Sequence, residues 1–200
     1  MNFPLPVKAD VFDIGDVKFG AKRAPRILVD TNVWVWVTRG HQSKEQRAPA
    51  YSGCIENALK ASAQLLHTDH SLLELIHFFE NDEIKIAIEA GLIADGRSAA
   101  KTYRQTPGTR GRLAVIVGAA LAEVRSMSVA VDSVLDVDAA LAIFSQSHAD
   151  PADAVLAISA AQQSVPILSD DQDLATVAGV RLYTANPTAI SAARKQHRLG

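Results

Sequence analysis

Two hundred residues suffice for one domain with a sizeable core. Hydrophobic residues at 48% and charged residues at 21% are ordinary for a soluble globular protein, and a formal charge of −2 gives no global attraction to nucleic acid. Cys54 is the sole cysteine, which excludes an intrachain disulfide, and no apolar run approaches the roughly 20 residues that cross a bilayer.

Residues 1–25 mix proline, glycine and alternating charge without a sustained period, unlike a signal peptide, so a cytoplasmic protein is expected. They read as an N-terminal extension with a short strand near Val17–Phe19. Lys18, Lys22, Arg23 and Arg26 make its end basic, which suits a solvated linker better than a nucleic-acid arm. Ile27-Leu28-Val29 is a short apolar run of the kind found in parallel strands covered on both faces. It ends at Asp30, putting a carboxylate on the strand's C-terminal tip, where open α/β sheets bind ligands. Locally, Asp30 or Thr31 could simply cap the next helix; the recurrence of acids downstream favours a site.

Val33–Val37 is read as a short helix, because a continued strand would draw Asp30 into the sheet interior at high cost. His41–Pro49 is a polar loop, Tyr51–Ala63 an amphipathic helix and Gln64–Thr68 a short strand. Ser71 and Glu74 have capping-box spacing at the start of the following helix. His70, Glu74 and His77 share one helix face, but structural zinc takes four ligands from Cys and His, and no cysteine pair exists. From Asn81 to Ala122 the chain is helical at both ends and broken between. No acid occurs between Asp95 and Glu123, while Arg97, Lys101, Arg104, Arg110 and Arg112 do. With Tyr103 among them, these cations suit either phosphate and base contacts or a solvated helical face.

Ser128–Val134 reads as a strand and Val137–Phe144 as a short helix. Asp150 can cap the next helix with Pro151 at its first position, leaving Asp153 without a capping duty. Val165–Ser169 is another buried strand, followed by Asp170, Asp171 and Asp173, three acids that repel unless neutralised. Gly179–Thr184 gives a last strand, and Asn186 onward reads as a surface tail. Strands alternating with helices predict a parallel sheet between helical layers. Asp30, Glu74, Asp153 and Asp171, with Asp150 and Asp173 beside them, would then crowd one edge. Such crowding calls for magnesium or manganese, which prefer oxygen ligands, and points to a phosphate ester or diester substrate.

Four ordered motifs resemble those of PIN-domain nucleases, with the VapC-type toxins of toxin–antitoxin pairs as the subgroup. They are Ile27-Leu28-Val29-Asp30-Thr31-Asn32, Ser71-x-x-Glu74, Asp150-Pro151-Ala152-Asp153 and Ile167-Leu168-Ser169-Asp170-Asp171-Gln172-Asp173-Leu174. The resemblance spans roughly residues 26–183. It implies a three-layer α/β/α fold whose mostly parallel five-stranded sheet has the order 3-2-1-4-5. It also implies Mg2+- or Mn2+-dependent hydrolysis of RNA. Asp30, Glu74, Asp153 and Asp171 would be the metal-binding acids and Asp173 an auxiliary one. Thr31 or Asn32 would orient Asp30 or a bound water. The hydroxyl-x-acid spacing from Ser169 selects Asp171, with Asp170 as the alternative. The domain would run over residues 26–185, with a helical, basic insertion at about 94–118 and a tail at 186–200. Proteins of this kind commonly form homodimers and bind an antitoxin that blocks the acidic pocket. Two other readings stay open: a non-catalytic RNA- or partner-binding module on the same scaffold, and a haloacid-dehalogenase-like phosphatase. The phosphatase needs an acid two residues after the nucleophilic aspartate, where this chain has Asn32.

Overall fold

The computed structural model describes residues 6–19, 25–39 and 46–200. Lys22, Arg23 and most of the expected polar loop lie outside the described residues. The elements in chain order are β1 (Asp10–Asp13), β2 (Arg26–Val29), α1 (Thr31–Arg39), α2 (Ala48–Lys60), β3 (Gln64–Thr68), α3 (Asp69–Glu89), α4 (Ala99–Gln105) and α5 (Thr109–Met127). Then follow β4 (Ser128–Val131), α6 (Val137–Gln146), α7 (Pro151–Gln163), β5 (Ile167–Leu168), a 3-10 turn (Asp173–Thr176), β6 (Arg181–Thr184) and α8 (Pro187–Lys195).

The six strands pair in the order β1-β6-β5-β2-β3-β4, every pair parallel. The five expected strands keep their expected order. The sixth strand, β1, extends the sheet beyond β6, so five strands is corrected to six and the sheet is wholly parallel. β2 is central because both its faces are apolar: Ile27 and Val29 point to one side, Leu28 to the other, and all three are fully buried. Ile27 and Val29 pack with Trp34, Tyr51, Leu75 and Val124, so α1, α2, α3 and α5 cover that face. Leu28 packs with Leu156, Ile167, Leu182 and Ala189, so α7 and α8 cover the other. Together the sheet and its covers make three layers. No helix among the described residues is long and apolar enough to cross a membrane.

The ends of the chain depart from expectation together. Val17–Phe19 forms no strand; the pairing segment is Asp10–Asp13, whose Val11 is wholly buried between exposed Asp10 and partly buried Phe12. The surface tail is corrected to a helix. Asn186 caps α8 by accepting from Thr188 N at 3.0 Å, Pro187 takes the first position, and Ala189 and Ala193 bury against the sheet. Beyond it, Val11 N donates to Arg198 O and Gly200 N donates to Val11 O. The C-terminal residues thus satisfy the outer edge of β1, which would otherwise be unpaired.

The insertion packs on α3 through a small core of Ile84, Ala87, Ile93, Ala99 and Tyr103. Its cations are not all without counter-charge, as the sequence suggested. Arg104 makes two 2.6 Å hydrogen bonds to Glu80, and Arg112 Nε lies 2.6 Å from Glu83 Oε2. Tyr103 is 2% exposed and offers no face to a base. Arg97, Lys101 and Arg110 remain exposed with no ion pair among the described residues.

Candidate active site

β2 has β3 on one side and β5 on the other, so the winding reverses at its C-terminal end. Crevices at such a reversal are where doubly wound sheets bind ligands. A pocket of about 650 Å³ opens there, lined by five carboxylates: Asp30, Glu74, Asp150, Asp153 and Asp171. Its other wall is apolar, from Val35, Trp36, Leu73 and Phe78, and no Lys or Arg lines it among the described residues.

Asp30 is 9% exposed, yet each of its oxygens is engaged. Oδ1 accepts from Thr31 N at 2.6 Å; Oδ2 accepts from Ser169 Oγ at 2.6 Å and from Asn32 Nδ2 at 2.8 Å. Burial nevertheless wins over these hydrogen bonds and lifts its pKa to about 6, with Glu74 and Asp171 adding repulsion. Asn32 thus holds Asp30 through its side-chain amide. Thr31 does something else: its hydroxyl donates to Glu74 Oε2 at 2.7 Å.

Glu74 is free to face the pocket because it has no cap to make. The capping box sits three residues earlier, between Thr68 and Ser71, with Ser71 N donating to Thr68 Oγ1 and Thr68 N to Ser71 Oγ, each at 3.1 Å. This corrects the Ser71–Glu74 box. His70 Nε2 stands 3.8 Å from Glu74 Oε1, and His77 also lines the pocket.

Asp153 is a correction in the opposite sense. Asp150 Oδ1 accepts from Asp153 N at 2.9 Å while Asp153 Oδ2 accepts from Asp150 N at 3.1 Å, a reciprocal box. Asp153 thus has a capping duty after all. Burial, then the charge of Asp171, raises its pKa to about 8. A cap alone does not require that burden, since an exposed carboxylate would serve.

The segment after β5 sorts its three acids. Asp171 faces the pocket, and its Oδ1 accepts from Asp173 N at 2.7 Å. Asp173 stands behind it, outside the pocket lining, with its pKa raised by burial and by Asp171. Asp170 turns the other way, its buried carboxylate pairing with the partly exposed Arg47. It is therefore no alternative to Asp171 as a pocket acid. None of Arg97, Lys101, Arg104, Arg110 and Arg112 lines the pocket. The sequence marks Ser169 only by its spacing to Asp171, whereas its hydroxyl donates to Asp30 and accepts from Asp171 N at 2.9 Å. Arg47, in the expected polar loop, gave no sequence signal; its partner is 123 residues away.

The donor set is oxygen-only on its acidic side, which suits a hard divalent ion. Burial holds two of these carboxyls at about 6 and about 8, and no lining Lys or Arg among the described residues offsets it. Among the described residues no group of three or more His, Cys, Asp or Glu side chains is placed to hold a metal ion as it stands. Magnesium does not need one, since it keeps several waters and binds through one or two carboxylates. The residues therefore fit such an ion.

A parallel α/β protein with a carboxylate-lined pocket at its switch point is the class these features define. The chain belongs to the PIN-domain family, whose model matches residues 27–180. PIN domains are generally nucleases and generally use divalent metal ions. Solved structures similar to the chain include FitAB bound to an IR36 DNA fragment, at 16% identity and a TM-score of 0.43, covering 80% of this chain and 94% of that one. FitAcB from Neisseria gonorrhoeae is also similar, at 16% identity and a TM-score of 0.39, covering 80% and 97%. No curated protein matches the chain significantly by sequence.

Proposed function

We propose that this chain is a Mg2+- or Mn2+-dependent endoribonuclease, the toxin of a type II toxin–antitoxin pair, acting on RNA in the cytoplasm. The observation that carries the reading is the pocket of five carboxylates without a lining cation, two of them held well above the usual aspartate range. A substrate phosphate would be repelled from such a pocket unless metal ions came with it.

Asp30, Glu74, Asp153 and Asp171 would hold the metal, with Asp173 supporting Asp171 through its N–H. Bound divalent ions neutralise phosphate charge and make water a better nucleophile. The chain's own residues supply the preorganisation. Ser169 and Asn32 hold Asp30 Oδ2 in place, Thr31 holds Glu74 Oε2, and the box with Asp150 holds Asp153. The apolar wall of Val35, Trp36, Leu73 and Phe78 faces the carboxylates and lowers the local polarity, which strengthens the electrostatics beside it.

The phosphatase reading loses ground here, because Asn32 donates to Asp30 instead of supplying a second acid. Two protein partners belong to the proposal: an antitoxin that covers the acidic pocket, and a second copy of the chain. The second copy is supported by α6, which buries none of its residues and exposes Val137, Leu141 and Phe144. Charge is also sorted along the chain. Residues 126–180 contain no Lys or Arg, whereas 96–122 contain no acid, so one copy's α6 face suits the other's insertion.

RNA cleavage by the purified protein with Mg2+ or Mn2+, set against an Asp30→Asn variant, tests the reading. Loss of cleavage in the variant is expected. Equal cleavage by both overturns it, and retained RNA affinity without divalent-ion binding would mark a non-catalytic RNA-binding module.

A further inference from the structure

Asp170 stands one residue before Asp171, yet its carboxylate leaves the pocket and is buried at 8% exposure. Arg47 grips it at two points: Nε donates to Oδ1 at 2.8 Å, and Nη2 donates to Oδ2. Tyr51, fully buried one turn into α2, donates its hydroxyl to Asp170 Oδ1 at 2.8 Å. The same hydroxyl accepts from Ala185 N at 2.7 Å, and Asn186 Nδ2 donates to Asp170 O at 2.7 Å. The start of α2, the segment after β5 and the end of β6 are therefore fastened at one carboxylate.

Two features show that this fastening does more than fill space. Arg47 occupies the N-cap of α2, makes no capping bond there, and has no acid in the first turn beside it. A cation at a helix N-terminus opposes the helix dipole. Against that cost stands the pairing with Asp170, through the two-point geometry a guanidinium offers a carboxylate. The fastening is also one step from the site. Asp170 N lies 3.4 Å from Asn32 Oδ1, and the amide of that same Asn32 donates to Asp30 Oδ2 and Ser169 Oγ. Ser169 Oγ in turn holds both Asp30 and the N–H of Asp171.

We propose that Arg47 and Tyr51 are positioning residues of the acidic pocket: by anchoring Asp170 they fix the Ser169–Asp173 segment so that Ser169 meets Asp30 and Asp171 faces the pocket. Arg47 also cancels the charge of Asp170, which would otherwise add a further anion behind Asp171. As a statement about metal binding, this rests on the reading of the pocket as a divalent-ion site; as a statement about position it does not.

The experiment follows both consequences in RNA-free protein, with Mn2+ as the probe. Mn2+ affinity is read by electron paramagnetic resonance, and amide hydrogen exchange is read at Asp171 without metal. Arg47→Met is expected to weaken Mn2+ binding by about 10- to 100-fold, the range seen for outer-shell partners of metal ligands, and to speed exchange at Asp171. Arg47→Lys, which keeps the charge but not the two-point grip, is expected to recover only part of either effect. Tyr51→Phe deletes one hydroxyl from a residue that still packs, so it serves if Arg47→Met does not fold; a smaller loss of the same kind is expected. Arg112→Met, which breaks an ion pair remote from the pocket, is the control and leaves both readings unchanged. Wild-type Mn2+ affinity and wild-type exchange at Asp171 in folded Arg47→Met or Tyr51→Phe overturn the proposal. A wild-type protein that binds no Mn2+ overturns the metal-site reading, while the exchange at Asp171 still decides the positioning.

Discussion

The hydroxyl of Thr31 donates a 2.7 Å hydrogen bond to Glu74 Oε2, joining the first turn of α1 to a helix that begins 38 residues further along the chain. Thr31 Oγ1 also lies 3.3 Å from Ser71 O, so the donor is held from both sides of α3's first turns. Glu74 is the one pocket acid on a helix flank instead of at a strand end or helix start, and this bond aims it.

Replacing Thr31 with Val keeps the side-chain shape and removes the donor. Glu74 then loses the partner that orients it, and if it holds metal as proposed, the proposed RNA cleavage should fall by about tenfold, the lower part of the range for groups that orient metal ligands. Thr31→Ser keeps the hydroxyl and should stay within a few-fold of wild type. Single-turnover cleavage rates of the two variants check this; equal rates for Val and Ser would show that Glu74 needs no such support.

The raised carboxyls make the metal-free protein's stability depend on pH with an unusual sign. Asp30 at about 6 and Asp153 at about 8 bind their protons more tightly when folded than when unfolded, where an aspartate titrates near 3.8. Between about pH 4 and pH 8 the folded state therefore carries more protons, and stability falls as pH rises through that window. The effect should be on the order of a few kcal/mol, or several degrees in Tm. Adding Mg2+ should restore most of it at pH 8 and little at pH 5, because the ion needs the ionised acids. Asp153→Asn should flatten the upper part of the profile while abolishing cleavage. Calorimetric Tm values across pH 4–8, with and without Mg2+, decide it. A metal-free Tm that climbs steadily from pH 5 to 8 would refute the electrostatic account.

How far the site could be read in the sequence depended on the distance over which each side chain acts. Ile27–Asp30, the strand Gln64–Thr68 and the Asp150-Pro151 helix start are decided by neighbours in the chain, and each lies where expected. The Thr68–Ser71 box was missed because Ser71 and Glu74 offer the same spacing three residues later; tertiary pairing of β3 up to Thr68 decided between them. Arg104, Arg112 and Arg47 find their acids 24, 29 and 123 residues away, where no local pattern reaches. The strand Asp10–Asp13 hid for a related reason. Its acids at both ends suit an edge position, and its partners β6 and the C-terminal residues come from the other end of the chain.

The cations of the insertion should separate into two kinds. Arg112 covers Glu83, which is buried beside Tyr103, so Arg112→Ala strands a carboxylate and should cost about 1–3 kcal/mol. Arg110 is exposed and has no ion pair among the described residues, so Arg110→Ala should leave Tm within about a degree. If the insertion meets RNA, Arg110→Ala should weaken binding and lessen its salt dependence. Denaturant titration alongside RNA binding at two salt concentrations checks both; a stability loss in Arg110→Ala would show it pairs with a group elsewhere in the chain.

Self-association through α6 makes a mass prediction. Leu141 is 62% exposed and Phe144 53%, on a helix with no buried side chain, so changing them should leave the monomer's fold intact. If this face meets a second copy, the wild-type protein should scatter light at twice 21.4 kDa. A Leu141→Asp change would bury a carboxylate in the apolar centre of that contact, among acids already at Asp136 and Asp138, and should return the mass to one chain. Arg97→Glu on the insertion should weaken the dimer in the same direction, and pairing it with Asp138→Lys should recover part of the loss if the two faces meet across the contact. A mass of one chain for the wild type at working concentration would remove the second copy from the proposal. An unchanged dimer in Leu141→Asp would move the contact to another face and leave α6 open for the antitoxin.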